Sequence, residues 1–320
     1  MTRIAIISDI HLKLRKYKEF ELNRFELLIS HLEESNAEII VFNGDLLDYA
    51  HPTLEEIQVL QRAFNTLHSA GKKLYLLDGN HEAVSLVSAT YDYITFHGIE
   101  NPNDKYPKLL IDGVTMQLCS WSKINHLKFM DEADVLITHY RSKIDGLFDE
   151  ELQTVDFIDN FKLILLGDIH FRYSPVKHVF YTGCPYSTAA IKPKKNNEFG
   201  YIELTLNNSE YKWSYVDLDL PQKYRIEVAY NELKDFKPLE KHMYFIRVSG
   251  AVNELNRLSN TKHIIYEKYF IDSQATSIGI PKTLKANGTF IDSLSDRVSK
   301  EVTERKREIR QILTNIQGAT

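Results

Sequence analysis

The sequence predicts an α/β layered fold with a small mixed appendage and a helical tail, and three observations lead there. Short apolar runs alternate with amphipathic stretches through the first half. Several of those runs end in a polar loop bearing chemically useful side chains, where α/β folds place their ligands. After Phe199 the period changes to strict alternation.

The strand-like runs are Ile4–Ser8, Ile39–Phe42, Leu74–Leu77, Gln117–Ser120, Val135–Thr138, Leu163–Leu166 and Val179–Tyr181. Helices are predicted over Phe20–Glu33, where Phe20, Phe25, Leu28, Ile29 and Leu32 fall near helical spacing, and over Leu54–Ser69. Thr53 followed by Glu56 has the form of a capping box for the second helix. Tyr201–Leu206 and Lys212–Val216, separated by an Asn207-Asn208 turn, read as a hairpin. Pro221 marks a boundary, giving a first domain over 1–220. Three strand-like runs, Arg225–Val228, Tyr244–Val248 and His263–Tyr266, make a small capping domain over 221–271, with a short helix around Asn253–Leu258. Gly279, Pro281 and Gly288 interrupt 272–288, a linker. The tail, 289–320, carries Ile291, Leu294, Val298, Val302, Ile309, Ile312 and Ile316 on one helical face.

Length and composition narrow the class. The 320 residues suit one large domain with appendages, and 43% apolar with 26% charged content is that of an ordinary soluble protein. No run is long enough to cross a bilayer, and the start of the chain does not read as a signal peptide, so a cytoplasmic protein is expected. Cys119 and Cys184, the two cysteines, are expected as buried thiols without a disulfide. A net charge of −5 does not exclude a nucleic-acid substrate, because carboxylates that hold cations lower the formal count while presenting positive charge to phosphate.

The chemistry lies at the strand ends: Ser8-Asp9-Ile10-His11, Asn43-Gly44-Asp45, Gly79-Asn80-His81-Glu82, Thr138-His139-Tyr140 and Gly167-Asp168-Ile169-His170. An Asp after a strand is commonly a turn residue or helix cap, and a single His commonly does structural duty. Five such loops, each closing a separate strand, are a different matter. Oxygen and imidazole donors without thiolate suit divalent ions, with manganese favoured and magnesium an alternative. Asp45, with two oxygens in the central loop, is the candidate to bridge two of them.

This ordered set resembles the signature of the calcineurin-like metallophosphoesterases: D-x-H, G-D, G-N-H-D/E, H and G-H-x-H. The resemblance implies a four-layer α-β-β-α sandwich and two metal sites. Asp9, His11, Asp45 and His170 would hold one ion, and Asp45, Asn80, His139 and Asp168 the other. His81 would orient the phosphate or protonate the leaving oxygen. Asp168 is the departure, since the family usually has histidine there; a retained, harder ligand is expected, and loss of that site is the alternative.

Within the family, Asp45 lacks the D-R-G sequence of phosphoprotein phosphatases. Tyr181-Thr182-Gly183-Cys184-Pro185-Tyr186-Ser187 and Phe199-Gly200-Tyr201, then Leu218-Asp219-Leu220-Pro221, look like the corresponding passages of SbcD-type nucleases of double-strand-break repair and, given the compact chain, of bacteriophage recombination. That likeness implies a metal-dependent DNA exo- and endonuclease without a covalent intermediate. It also implies an SbcC-type (SMC-like) ATPase partner gripped by the C-terminal helix and, by analogy, a homodimer. Lys13, Arg15, Lys16 and Lys18 follow the first metal loop, and Lys192, Lys194 and Lys195 form a second basic cluster; both are candidates for backbone-phosphate contacts. A stand-alone phosphodiesterase or phosphatase, and a non-catalytic DNA-binding subunit, are the competing readings.

Overall fold

The computed structural model describes residues 1–85, 88–100, 108–124, 132–141, 160–193 and 198–270. In chain order its first elements are β1 (Thr2–Ile7), α1 (Lys18–Glu34), β2 (Ile39–Asn43), α2 (Leu54–Ser69) and β3 (Lys73–Leu77). A minor pair follows, β4 (Ala83–Ser85) and β5 (Ser88–Ala89). Then come β6 (Lys108–Ile111), β7 (Val114–Cys119), β8 (Ala133–His139), β9 (Phe161–Gly167), β10 (Tyr173–Val176) and β11 (Val179–Tyr181). The hairpin is β12 (Gly200–Asn207) and β13 (Glu210–Asp217). Last are β14 (Lys223–Ala229), β15 (Met243–Gly250), a one-turn helix α3 (Val252–Leu255) and β16 (Ile264–Phe270).

Two sheets stack face to face. One has the order β13-β12-β1-β2-β3 and the other β10-β11-β9-β8-β7-β6. Ile4, Ile6, Val41 and Leu77 from the first meet Met116, Leu118, Ile137 and Leu165 from the second in a core without solvent access. On the far side of the first sheet, Phe25, Leu28 and Leu32 of α1 and Leu60, Phe64 and Leu67 of α2 bury against Ile40, Phe42, Leu74 and Leu76. Helix α2 begins where the sequence places it: Thr53 Oγ1 accepts from Glu56 N–H, and the Glu56 carboxylate accepts from Thr53 N–H at 2.7 Å. The outer face of the second sheet carries Leu136, Ile164, Leu166 and Tyr181. The helical layer expected over it is not among the described residues; the crossover segments 125–131 and 142–159 lie outside them. The result is a mixed α/β sandwich. Cys119 and Cys184 are buried free thiols, and burial pushes both well above the usual thiol range.

Strands β1, β2 and β3 run parallel, as do β7, β8, β9 and β11, so their carboxyl ends share one rim. Strands β6 and β10 pair antiparallel at the two edges of the second sheet. The third sheet, β14-β15-β16, is parallel, with Ile226, Ile246 and Val248 packed under α3. Pro221 lies between β13 and β14. The linker 272–288 and the tail 289–320 lie outside the described residues.

A buried ionic cluster joins the third sheet to the sandwich. Glu21 and Arg24 of α1 pair at 2.5 Å, and Lys223 of β14 pairs with the other Glu21 oxygen; all three side chains are no more than 6% exposed. Arg24 also donates to Ser187 O at 2.7 Å and stacks on Tyr186 at 4.0 Å. Burial, then the Arg24 charge, lowers the Lys223 pKa from 10.5 to about 8, against the pull of Glu21. Between those two pH values the folded chain holds fewer protons at this group than the unfolded one, so stability rises with pH there. Relative to Lys223→Met, wild type should gain on the order of 3 kcal/mol between pH 8 and 10.5, read as urea midpoints at each pH. A pH-independent difference would mean that Lys223 titrates normally.

Candidate metal centre

Every predicted ligand loop opens onto the shared rim. Asp9 and His11 follow β1, Asp45 follows β2, Asn80 and His81 follow β3, His139 ends β8, and Asp168 and His170 follow β9. The turns are tight enough to force left-handed backbone on non-glycine residues: φ is 57° at Asp9, 48° at His11, 50° at Asp45 and 83° at Asp168. Such conformations cost of order 1–3 kcal/mol each and persist where surrounding contacts over-determine them. Close approach explains the glycines. A Cβ at Gly44, itself at φ 79°, would lie 2.3 Å from His139 Nδ1, and one at Gly79 would lie 2.1 Å from Asp45 Oδ1.

The side chains converge in three overlapping groups whose donor atoms all lie within 4.8 Å of one another: Asp9, His11 and His170; His11, Asp45 and His81; and Asp9, Asp45 and His139. His11 Nε2 is 3.4 Å from Asp45 Oδ2 and 3.1 Å from His170 Nε2. His139 Nε2 is 3.4 Å from Asp45 Oδ2 and 3.1 Å from Asn80 Oδ1. Seven of the eight expected side chains therefore face one basin. The eighth, Asp168, enters none of the three groups. Its backbone N–H donates to Asp9 Oδ2 at 3.2 Å, while its carboxylate takes two hydrogen bonds from Arg141, from Nε and, at 3.0 Å, from Nη2.

Supporting contacts turn the ligand atoms inward, and most carry little sequence signal. His139 Nδ1 bonds Asn43 O at 2.9 Å, and His81 Nδ1 bonds Asp48 O at 3.0 Å, so each ring donates outward and aims Nε2 at the basin. Asp48 Oδ1 stands 3.2 Å from His11 Nδ1, close to that ring but without a hydrogen bond to it. Thr188 Oγ1 lies 2.9 Å from His170 Nδ1. Glu82 is the hub: Asp45 N–H, Leu47 N–H, Gly79 N–H and Tyr91 O–H, at 2.7–3.0 Å, all donate to its buried carboxylate. Asp48 and Glu82 were visible in the sequence only as neighbours of Asp45 and His81, and Arg141 only as a residue two places after His139.

The electrostatics fit a cation. Burial and the Asp45 charge push Glu82 up to about 8, although four donors favour its ionised form. Against the cost of burial, the facing histidines His139, His11 and His81 hold Asp45 well below the ordinary carboxylate range. Burial likewise disfavours charged His139, yet Asp45 holds its pKa well above the imidazole value. The proton that Asp45 favours on His139 stands where a divalent ion would compete, and metal binding at such a site releases protons. Asp9 Oδ1, fully buried, meets hydrogen-bond geometry with no donor. A buried, unsatisfied carboxylate oxygen among convergent imidazoles matches the hard-to-borderline donor set of a divalent metal.

The basic candidates are placed less uniformly. Lys13 Nζ pairs with Asp48 at 2.9 Å beside the basin, and Lys18 pairs with Glu55 of α2 at 2.5 Å. Arg15 lies over the Tyr49 ring at 4.8 Å and Lys16 over Tyr17 at 5.0 Å, both exposed. Lys192 is exposed, and Lys194 and Lys195 lie outside the described residues.

Comparison with known proteins places the chain in a family. Residues 2–170 match the calcineurin-like phosphoesterases, so the chain belongs to that family. It is 24% identical over 277 residues to the probable exonuclease subunit 1 of Escherichia phage T5, covering 81% of this chain and 82% of that protein. It is 23% identical over 322 residues to the DNA double-strand break repair protein Mre11 of Methanocaldococcus jannaschii, covering 92% and 85%. The Methanopyrus kandleri protein of the same name matches at 23% over 211 residues, 52% of this chain and 44% of that one. Among the described residues no helix is long and apolar enough to cross a membrane.

Proposed function

We propose that this calcineurin-like phosphoesterase is a metal-dependent DNA nuclease, acting as the nuclease subunit of an SbcC-type ATPase complex in recombination, repair or replication. The observation that carries this reading is extent. The family match ends at residue 170, whereas the likeness to the exonuclease and break-repair relatives continues into the hairpin and third sheet. A general phosphatase has no evident need of those parts. The units proposed are 1–220 for catalysis, 221–271 for capping the substrate, and 289–320, beyond the linker 272–288, for the ATPase.

In this reading Asp9, His11, Asp45 and His170 hold one divalent ion, and Asp45, Asn80 and His139 the other; manganese suits the donors best. When bound, such ions supply an activated water and a clamp for phosphate oxygens. The protein's own part is positional. Asn43, Asp48 and Thr188 hold the histidine rings, and Glu82 ties the Asp45 and Gly79 turns together. His81, 41% exposed at the mouth, stands ready to donate to the departing sugar oxygen. Lys13, Arg15 and Lys16 line the approach and would contact backbone phosphates, giving binding that weakens steeply with salt.

The test is digestion of end-labelled linear duplex DNA with manganese, beside a small chromogenic diester. Degradation of DNA, abolished by chelator, is expected. Hydrolysis of the small diester alone would favour the stand-alone phosphodiesterase, and DNA binding without hydrolysis of either would favour the non-catalytic subunit. Truncation after residue 270 should abolish association with the ATPase; unchanged association would remove the tail from the proposal.

A further inference from the structure

We propose that the ring of Tyr49 is a nucleobase-stacking platform beside the metal basin, and that it receives an unpaired base of the strand being cut. The inference rests on the DNA nuclease reading and adds a base subsite to it. Tyr49 follows Asp48, whose carbonyl bonds His81 Nδ1 at 3.0 Å, so it stands next to the clamp of the residue that serves the leaving sugar. Four contacts pin the backbone on either side of it. Asp48 N–H donates to Leu12 O at 3.2 Å, and Lys13 Nζ pairs with the Asp48 carboxylate at 2.9 Å. Thr90 Oγ1 donates to Ala50 O at 2.6 Å, and Arg15 Nη2 donates to His51 O at 2.6 Å. The loop is thus fixed to the rim at both ends of the residue, yet Tyr49 itself is 49% exposed.

The ring is held from one side. The Arg15 guanidinium carbon lies 4.8 Å from its centroid and, among the described residues, is its one cationic or aromatic partner. A planar cation over a tyrosine steadies the ring, and the His51 bond steadies the cation in turn. About half of the residue's surface stays in water, which adds little to the fold. A flat aromatic face of that kind matches a nucleobase, and because every base has a π-face the match does not depend on sequence. A phosphate in the basin with its leaving oxygen turned to His81 sends the next sugar and base toward the Asp48–Tyr49 wall. A base stacked there has left its neighbours in the helix, so the platform favours single strands and frayed ends over closed duplex. Arg15 and Lys13, on the same wall, meet the backbone of such a strand.

The probes are two fluorescent single strands of equal length and charge, one of thymidines and one of abasic sugars. Their binding to the full-length protein is followed by anisotropy at low salt, in chelator so that the strands stay intact. Wild type should bind the thymidine strand more tightly than the abasic one. Tyr49→Ala should cut that preference about ten-fold or more, the usual contribution of one stacked base, and leave affinity for the abasic strand unchanged. Tyr49→Phe should keep the preference, since the ring and not the hydroxyl does the stacking. Unchanged abasic affinity and the Phe variant together guard against a folding defect as the cause. A Tyr49→Ala protein with the wild-type preference would overturn the proposal, as would equal or undetectable binding of the two strands by wild type. Manganese-dependent digestion of DNA by wild type is measured alongside. Digestion with a base preference indifferent to Tyr49 would sink the platform and leave the nuclease reading standing. A Tyr49-dependent preference without digestion would do the reverse.

Discussion

His81→Ala should lower manganese-dependent cleavage of DNA by about 10²–10⁴-fold, the usual cost of losing a positioned acid, with manganese affinity close to that of wild type. The His81 imidazole is held from behind by the Asp48 carbonyl at 3.0 Å, and its Nε2 lies 3.9 Å from Asp45 Oδ2, at the opening of the basin. It is too exposed for a core residue and too well fixed for an idle surface one. The backbone N–H of residue 81 separately bonds Asp45 Oδ1 at 3.0 Å, and alanine keeps that bond. Truncation therefore removes the ring while leaving the central carboxylate oriented. If the ring protonates the leaving oxygen, a diester with a nitrophenolate leaving group, which departs without help, should lose far less rate than DNA. Equal losses on both substrates would remove the acid role, and a loss below about ten-fold on DNA would remove His81 from the chemistry.

What could be read in the sequence follows from distance along the chain. The ligand loops were legible because each is local: an apolar run, a sharp turn, then Asp, Asn or His within four residues. Helix α2 was legible for the same reason, since Thr53 and Glu56 form its start by themselves. Edge strands were not. Strand β6 alternates exposed and half-buried residues, and β10 contains Pro175, which only an edge tolerates; their strand character comes from the neighbours they pair with. The Asp168 expectation rested on position in a motif, and position could not show that Arg141, brought alongside by the pairing of β8 and β9, would engage its carboxylate. Glu82 illustrates the same limit. As a letter after His81 it suggests a subtype, whereas its four donors come from two separate turns and the Tyr91 ring.

Glu21→Ala should destabilise the protein by about 3–5 kcal/mol, the loss seen when one member of a buried ionic group is removed. In sequence, Glu21 and Arg24 look like an exposed pair three residues apart on a helix, worth a few tenths of a kcal/mol. In the fold they are nearly inaccessible, and the third member, Lys223, arrives from the first strand of the third sheet. Glu21 is the sole carboxylate of this trio, so its removal strands two buried cations; Arg24 keeps Ser187 O and the Tyr186 ring, and Lys223 keeps the Thr188 carbonyl at 3.4 Å. Lys223 can shed its proton in response, which limits the damage above pH 8 and makes the defect larger at pH 6 than at pH 9. Adding Lys223→Met to Glu21→Ala should restore part of the loss by removing one stranded charge, a coupling readable in a double-mutant cycle of urea midpoints. The segment from Tyr186 to Thr188 lies between this cluster and His170, whose Nδ1 is 2.9 Å from Thr188 Oγ1. Loosening the cluster should accordingly weaken manganese binding at His170 as well as stability. A Glu21→Ala protein with a loss under about 1 kcal/mol would show that the trio is wetter than its burial indicates and holds the third sheet no more firmly than surface pairs do.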